Sequence, residues 1–397
     1  MYGKEKPLKE VGTSSLNLSY IPPNIKTVII INDFDYIEGG AAKVAISTAE
    51  ALVKAGYNTY FFSAVSRKDT PKINGVKYIT TNQYASLSDP NKMRGALNGL
   101  YNFKAARSLK KLLKNLDNKT TLIHIHTWTK ALSSSIWNVA YSLHVPIYLT
   151  CHDYFTVCPN GGFFNYKKTE ICKKKPLSIS CLKCNCDSRN YGIKLYRFAR
   201  SFIQNKLVNI FKKTSKFISI SDFSENILKE NFPKNINFER VSNPTDVIQP
   251  AEKINPTQNN YFLFVGRLSK EKGCELFCQA ITDLKLKGIV VGDGPDAARL
   301  QQMFANDNVS FVGWKNRKEV FEYMHKAKAL VFPSRWYEAD GLSVREALSI
   351  GLPCIVSDYC AAKDYITDST KGCTFKSIEN LKQAITEYNG SSRHYEN

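Results

Sequence analysis

Residues 329–358 read ALVFPSRWYEADGLSVREALSIGLPCIVSD, and this stretch decides the fold. Ala329–Phe332 is apolar on both faces and has strand length, Pro333–Tyr337 is a loop, a helical pattern starts near Gly341, and Pro353–Val356 is a second apolar strand. Strand, helix and strand in that order form a parallel crossover. The same alternation runs outward in both directions. Toward the N-terminus, Tyr261–Val265, Gly288–Val291 and Val309–Val312 read as strands, as do Thr27–Asn32, Thr59–Ser63, Thr121–His126, Pro146–Thr150 and Lys216–Ser221. Ala41–Ala55, Asn98–Leu116 and Lys130–Leu143 read as helices between them.

The pattern predicts an α/β protein with two Rossmann-like, doubly wound parallel-sheet domains facing each other across a cleft. The periodicity is interrupted at Val241–Gln258, where three prolines gather. Residues 25–242 are therefore expected as one domain, 243–397 as the other, and 1–24 as a flexible lead.

With 43% apolar and 23% charged residues, the 397-residue chain has the composition of a globular protein. No apolar run approaches the ~20 residues that span a bilayer, and the first 24 residues lack the apolar centre of a secretory signal. A cytoplasmic protein with mostly reduced cysteines is expected. The net charge is +20, and it is unevenly placed. Residues 1–250 hold 36 basic and 17 acidic side chains, whereas 251–397 hold 19 and 18. A cationic half of this kind attracts phosphate-rich partners or an anionic membrane surface.

Glu338 and Glu346 bracket the start of the helix in 329–358. The amides of Gly341, Leu342 and Ser343 open that helix as an anion site, and the two carboxylates suit sugar hydroxyls. Val265–Gly273, VGRLSKEKG, leaves a strand with Arg267 as a planar fork and Lys272 as a point charge, a pair suited to a diphosphate. Glu38-Gly39-Gly40 opens the first helix of the chain, and His152 in Thr150-Cys151-His152-Asp153 follows a strand end. His126 ends a strand as well and is the second histidine of interest.

The ordered set GRLSKEKG, VGDGP at 291–295, FVGW at 311–314 and PSRWYEADGLSVREALSIGLPCIVSD at 333–358 resembles glycosyltransferase family 4 of the GT-B type. The resemblance implies that Arg267 and Lys272 bind the diphosphate of a UDP- or GDP-sugar, that Glu338 touches the donor sugar and Glu346 the ribose, and that the chain near Val312 passes the base. Gly39 and Gly40 take the place of the family's acceptor-side glycine loop, and His152 that of its active-site histidine. It also implies transfer with retention of configuration, no cofactor for the chemistry, and a glycan or lipid-linked glycan as acceptor in surface-polysaccharide synthesis. The chain departs from the family after Asp358, where Tyr359–Asp364 lacks the expected glycines.

Two segments lie outside that frame. Cys158, Cys172, Cys181 and Cys184, in an insertion at 158–186, have a spacing from which a structural zinc site is expected. Arg189–Lys216 carries eight basic and no acidic residues, with Arg197, Arg200 and Lys206 flanking Ile193, Tyr196 and Phe202. It reads either as an interfacial helix on anionic lipid or as a core helix with a solvated basic face. A nucleotide-sugar epimerase and a non-catalytic lipid binder are the alternative functions. Sparse aromatic interleaving in the lysine-rich segments argues against nucleic acid.

Overall fold

The computed structural model describes residues 12–13, 16–67, 69–244, 246–247 and 254–390. The described chain forms two compact units that divide between residues 244 and 245, with residues 12–13 and 164–172 grouped with the C-terminal one.

In the N-terminal unit seven strands are β1 (Thr27–Ile31), β2 (Asn58–Ser63), β3 (Val76–Thr80), β4 (Thr121–Ile125), β5 (Ile147–Cys151), β6 (Lys216–Ser219) and β7 (Phe238–Arg240). They form one sheet in the order β7-β6-β5-β4-β1-β2-β3, and every pairing is parallel. The central strands are buried along their length, which is why β1 reads TVIII without polar alternation. Val28 and Ile30 meet Ala45, Ala49 and Leu52 of helix α1 (Gly40–Lys54) on one face. Tyr20 and Ile21, at the end of the expected lead, pack in the same cluster with Ile25.

Two expected helices are shorter than the periodicity suggests, each for a polar reason. Asn102 breaks the 98–116 pattern into α2 (Lys92–Leu100) and α3 (Phe103–Leu113), because its side chain accepts from the amide of Ala105 as an N-cap and donates to the carbonyl of Ala131 at 2.7 Å. The 130–143 pattern begins only with α4 (Ser135–Ser142). The amides of Lys130, Ala131 and Leu132 donate instead to the buried carboxylate of Asp33, at 2.8–2.9 Å, and Ser133 adopts a left-handed φ of 62°.

In the C-terminal unit β8 (Tyr261–Val265), β9 (Gly288–Val291), β10 (Val309–Phe311), β11 (Ala327–Phe332), β12 (Cys354–Ser357) and β13 (Gly372–Phe375) form a second parallel sheet, ordered β10-β9-β8-β11-β12-β13. Alternate residues feed two separate cores: Phe262, Phe264, Val331 and Ile355 face one, while Leu263, Leu330, Cys354 and Val356 face the other. A sheet covered on both sides leaves only its strand ends for chemistry. Two small antiparallel ladders complete the strands, Gly12–Thr13 with Asp246–Val247 and Phe164–Asn165 with Glu170–Ile171.

Candidate functional site

The family motifs of the C-terminal unit are loops at the carboxyl ends of β8, β9, β10 and β11, and backbone contacts bind them together. After β8, Gly266 donates to the carbonyl of Val291 and Leu268 to that of Asp293. Gly292 at the end of β9 donates to the carbonyl of Gly313, and a Cβ at Gly292 would lie 1.9 Å from the Gly266 carbonyl oxygen. The 333–337 loop joins them when Arg335 donates to the carbonyl of Glu271. Gly273 is as tight a point as Gly292. Its φ is +69°, and a Cβ there would stand 1.9 Å from the Pro333 carbonyl oxygen. Only glycine lets the two loops close on each other.

That closure places Lys272 beside Glu338. The ammonium of Lys272 is ion-paired with Glu338 Oε2, and the indole N–H of Trp336 and the hydroxyl of Ser334 donate to the same oxygen at 2.9 and 3.3 Å. The Lys272 ammonium also lies 5.3 Å from the Trp336 ring. Arg267 is exposed and forms no ion pair among the described residues. Helix α6 (Cys274–Asp283) starts directly after Gly273. Helix α7 (Leu342–Ser349) starts at Gly341 without a side-chain cap and without an acid in its first turn, so the amides of Leu342 and Ser343 open its N-terminus. Glu346 is half-buried one turn inside α7. Val312 packs partly against the core and donates its amide to Val290.

Tyr359–Asp364 needs no glycine to reach this loop. Glu338 donates to the carbonyl of Tyr359 and accepts from the amide of Ala361, a short parallel bridge. The space is gained on the other side, where a Cβ at Gly341 would meet that of Ala362 at 2.5 Å.

In the N-terminal unit, Gly39 and Gly40 are exposed at the start of α1, which also lacks a side-chain cap. The chemistry gathers elsewhere, at the ends of β4 and β5. Because these strands pair in parallel, the residues that follow them, His126 and His152, come together, with His126 Nδ1 2.9 Å from His152 Nε2 and the rings stacked at 5.2 Å. Behind them His124 Nε2 lies 2.7 Å from Thr150 Oγ1 and its Nδ1 3.3 Å from the Tyr20 hydroxyl. Burial drives all three imidazoles toward neutrality: His152 down to about 4, His124 down to about 3, and His126 well below the usual range, with neighbouring histidines adding to the last two. His126 lines a small cavity with Tyr20, Val44, Thr48, His124 and Asn243. Its Nε2 is buried and has no hydrogen-bond partner among the described residues. Sequence pattern alone favoured His152; the contact that singles out His126 joins residues 26 apart.

Among the described residues no group of three or more His, Cys, Asp or Glu side chains is arranged to hold a metal ion. Lys194, fully buried, donates to Cys181 Sγ at 3.2 Å. Asn160 accepts from Cys158 Sγ at 3.2 Å and donates to Cys186 Sγ at 3.4 Å. Burial pulls the Lys194 ammonium down, but Cys186, Cys181 and Cys158 outweigh it and hold it above its ordinary value.

The basic helix is turned around. Helix α5 (Tyr191–Phe202) points its cations inward: Arg197 pairs with buried Asp187 at 3.0 Å, and Arg200 donates to the carbonyls of Thr129 and Pro159. Burial lowers the Arg200 guanidinium to about 10. Tyr191, Leu195 and Phe202 are the exposed side chains, and the chain leaves the helix through a π-helical turn that ends at left-handed Asn209.

Among the described residues no helix is long and apolar enough to cross a membrane. A family model described as Glycosyltransferase Family 4 matches residues 38–248, and one described as Glycosyl transferases group 1 matches 247–395. The chain is 25% identical over 341 residues to an uncharacterized 42.6 kDa protein in the cps region of Klebsiella pneumoniae, covering 82% of this chain and 83% of that one. It is 27% identical over 182 residues to the D-rhamnosyltransferase WbpZ of Pseudomonas aeruginosa, covering 44% and 47%. Among solved structures it is similar to WaaG, a glycosyltransferase involved in lipopolysaccharide biosynthesis (TM-score 0.58, 18% identity, 92% and 91% covered), and to Anabaena HepE in complex with UDP-glucose (0.59, 14%, 91% and 88%). The fold is GT-B. With one model spanning more than half of its length and the second abutting it, the chain belongs to glycosyltransferase family 4 and is a glycosyltransferase.

Proposed function

We propose that this enzyme moves a sugar from a UDP- or GDP-sugar to a glycan or lipid-linked glycan acceptor, with retention of configuration, during synthesis of a surface polysaccharide. The observation that carries the reading is the ion pair of Lys272 with Glu338, beside exposed Arg267. It puts cations for a diphosphate and a carboxylate for sugar hydroxyls in one loop cluster. Arg267, Lys272 and the amides of Leu342 and Ser343 stabilise the charge that builds on the leaving diphosphate, Glu338 holds the donor sugar, Glu346 the ribose, and the 312 segment passes the base. No metal is needed for that charge. Gly39 and Gly40 flank the acceptor, and His152 meets the donor sugar. The names of the relatives support the process: one lies in a cps region, another is a D-rhamnosyltransferase, and HepE is in complex with UDP-glucose. The outward Tyr191, Leu195 and Phe202, with exposed Leu207 and Lys206, support contact with an anionic membrane surface where a lipid-linked acceptor resides.

Incubation with a panel of UDP- and GDP-sugars tests the reading. One donor should protect the enzyme against thermal unfolding and release its nucleoside diphosphate only with acceptor present, and the product's anomeric configuration should match the donor's. Conversion of the donor to a different nucleotide sugar without acceptor would instead establish an epimerase.

A further inference from the structure

One turn of the N-terminal unit is wound more widely than the rest. Helix α5 ends at Phe202, and the chain continues through a π-helical turn, Ile203–Val208, before left-handed Asn209 stops it. In an α-helix of 3.6 residues per turn, Gln204 would share the face of Arg200 while Asn205 stood ~140° away around the axis. A π turn closes with bonds that reach five residues, so Asn205 comes round to the side of Arg200 as well. Arg200, Gln204 and Asn205 thus turn three polar side chains to the same neighbours.

Those neighbours are the loops that follow β4 and β5. Gln204, fully buried, accepts from the indole N–H of Trp128 at 2.8 Å in the first loop and donates to the carbonyl of Phe155 at 3.0 Å in the second. Its amide also donates to Asn205 Oδ1 at 3.0 Å, and Asn205 in turn donates to the carbonyl of Thr156 at 2.9 Å. Arg200 repeats the pattern one turn earlier, reaching the carbonyl of Thr129 at 2.9 Å in the first loop and that of Pro159 at 3.4 Å in the second. Among the described residues no backbone amide donates to the carbonyl of Phe155 or Thr156, so these side chains decide where that stretch lies. Phe155 is held from both directions, since Asp153 accepts from its amide at 2.9 Å while Gln204 takes its carbonyl.

We propose that Gln204 and Asn205 are positioning residues: the π turn carries both amides onto the 153–156 stretch and so fixes the loop that bears His152 and Asp153 against the loop that follows His126. The part played in sugar transfer rests on the glycosyl-transfer reading; the brace rests on the geometry alone. Gln204 is sealed from solvent and acts only through the loops it holds.

Gln204→Glu keeps the size of the side chain and an acceptor for Trp128 but takes away both donors. Hydrogen exchange of the full chain, read by mass spectrometry without substrate, should quicken across residues 153–160 and stay as in the parent across Tyr261–Val265. The UDP- or GDP-sugar that protects the parent against thermal unfolding should still protect the variant, because the Lys272–Glu338 cluster lies in the C-terminal unit. Turnover should fall by ~10²-fold, as when a displacement of about 1 Å misaligns reacting groups. Asn205→Ala, which removes a single carbonyl bond at a half-buried position, should move the same readouts in the same direction by less, and decides the matter if Gln204→Glu does not fold. A lower unfolding midpoint with kcat and acceptor KM of the folded enzyme at parent values would overturn the proposal, since the two amides would then serve stability alone. So would exchange across 153–160 unchanged in both variants. Quicker exchange there, in variants of a parent that turns over no nucleotide sugar, would leave the brace standing and defeat the transfer reading.

Discussion

In the C-terminal unit the donors that meet Glu338 include Ser334 and Trp336, only four and two residues away, and Lys272 from a loop that itself reads as a motif. In the N-terminal unit His126 and His152 come from separate strands and meet only because β4 and β5 are neighbours. The first cluster is built largely by chain continuity and glycine, the second by sheet register. Damage to one should therefore look like a loop that no longer closes, and damage to the other like a shift in proton binding.

The largest effect tests the loop side. Gly273→Ala adds a Cβ against the Pro333 carbonyl at a left-handed position, combining ~1–2 kcal/mol of backbone strain with ~1–3 kcal/mol of overpacking. Denaturant unfolding should show a loss of about 2–5 kcal/mol, with donor protection gone; wild-type stability in this variant would mean that the loops are held apart in solution. Next, Lys272→Ala should lower turnover by ~10²–10³ while the fold persists, as for loss of one preorganised donor to developing charge. An unchanged kcat would remove Lys272 from the diphosphate. Smaller again, Glu346→Ala should abolish the thermal protection given by the donor, which at 100 times Kd is worth ~2.7 kcal/mol.

The smallest effect belongs to the N-terminal unit and depends on pH. Burial pushes the Asp153 carboxyl up to about 6 from an ordinary 3.8, against an amide bond from Phe155 that favours its charged form. The folded state then binds the proton more tightly than the unfolded state, so Asp153 costs stability as pH rises from about 4 to about 6 and the cost stays constant above. Asp153→Asn should match the parent below pH 4 and become progressively more stable than it up to pH 6, as read by unfolding midpoints across that range. A difference independent of pH would mean that Asp153 is ionised throughout.

The strands that bear the sites were legible because burial on both faces leaves a plain apolar run, as in Thr27–Ile31 and Tyr261–Val265. Val76–Thr80 escaped notice, since an edge strand half-open to solvent reads as VKYIT with no such run. The helix limits at Asn102 and Ser135 depend on the carbonyl of Ala131 and the carboxylate of Asp33, partners 29 and up to 99 residues distant. Pattern has no access to such contacts. Likewise α5 shows amphipathic spacing whichever way it faces, and only Asp187 and the carbonyls of Thr129 and Pro159 decide that its cations point inward. The Glu338 loop was readable because its chemistry is contiguous; the histidine pair was only half readable because a single strand end says nothing about its neighbour.

The resting ion pair of Lys272 and Glu338 has a thermodynamic consequence. In the proposed reaction an arriving pyrophosphate would not meet a bare cation but exchange places with a carboxylate, so the Coulombic gain would be a difference between two anions rather than the whole attraction of one. The carboxylate set loose by that exchange is then available to the hexose. Nucleoside diphosphate lacking its sugar would leave Glu338 with only Trp336 and Ser334 as donors, which favours release of the spent carrier over retention.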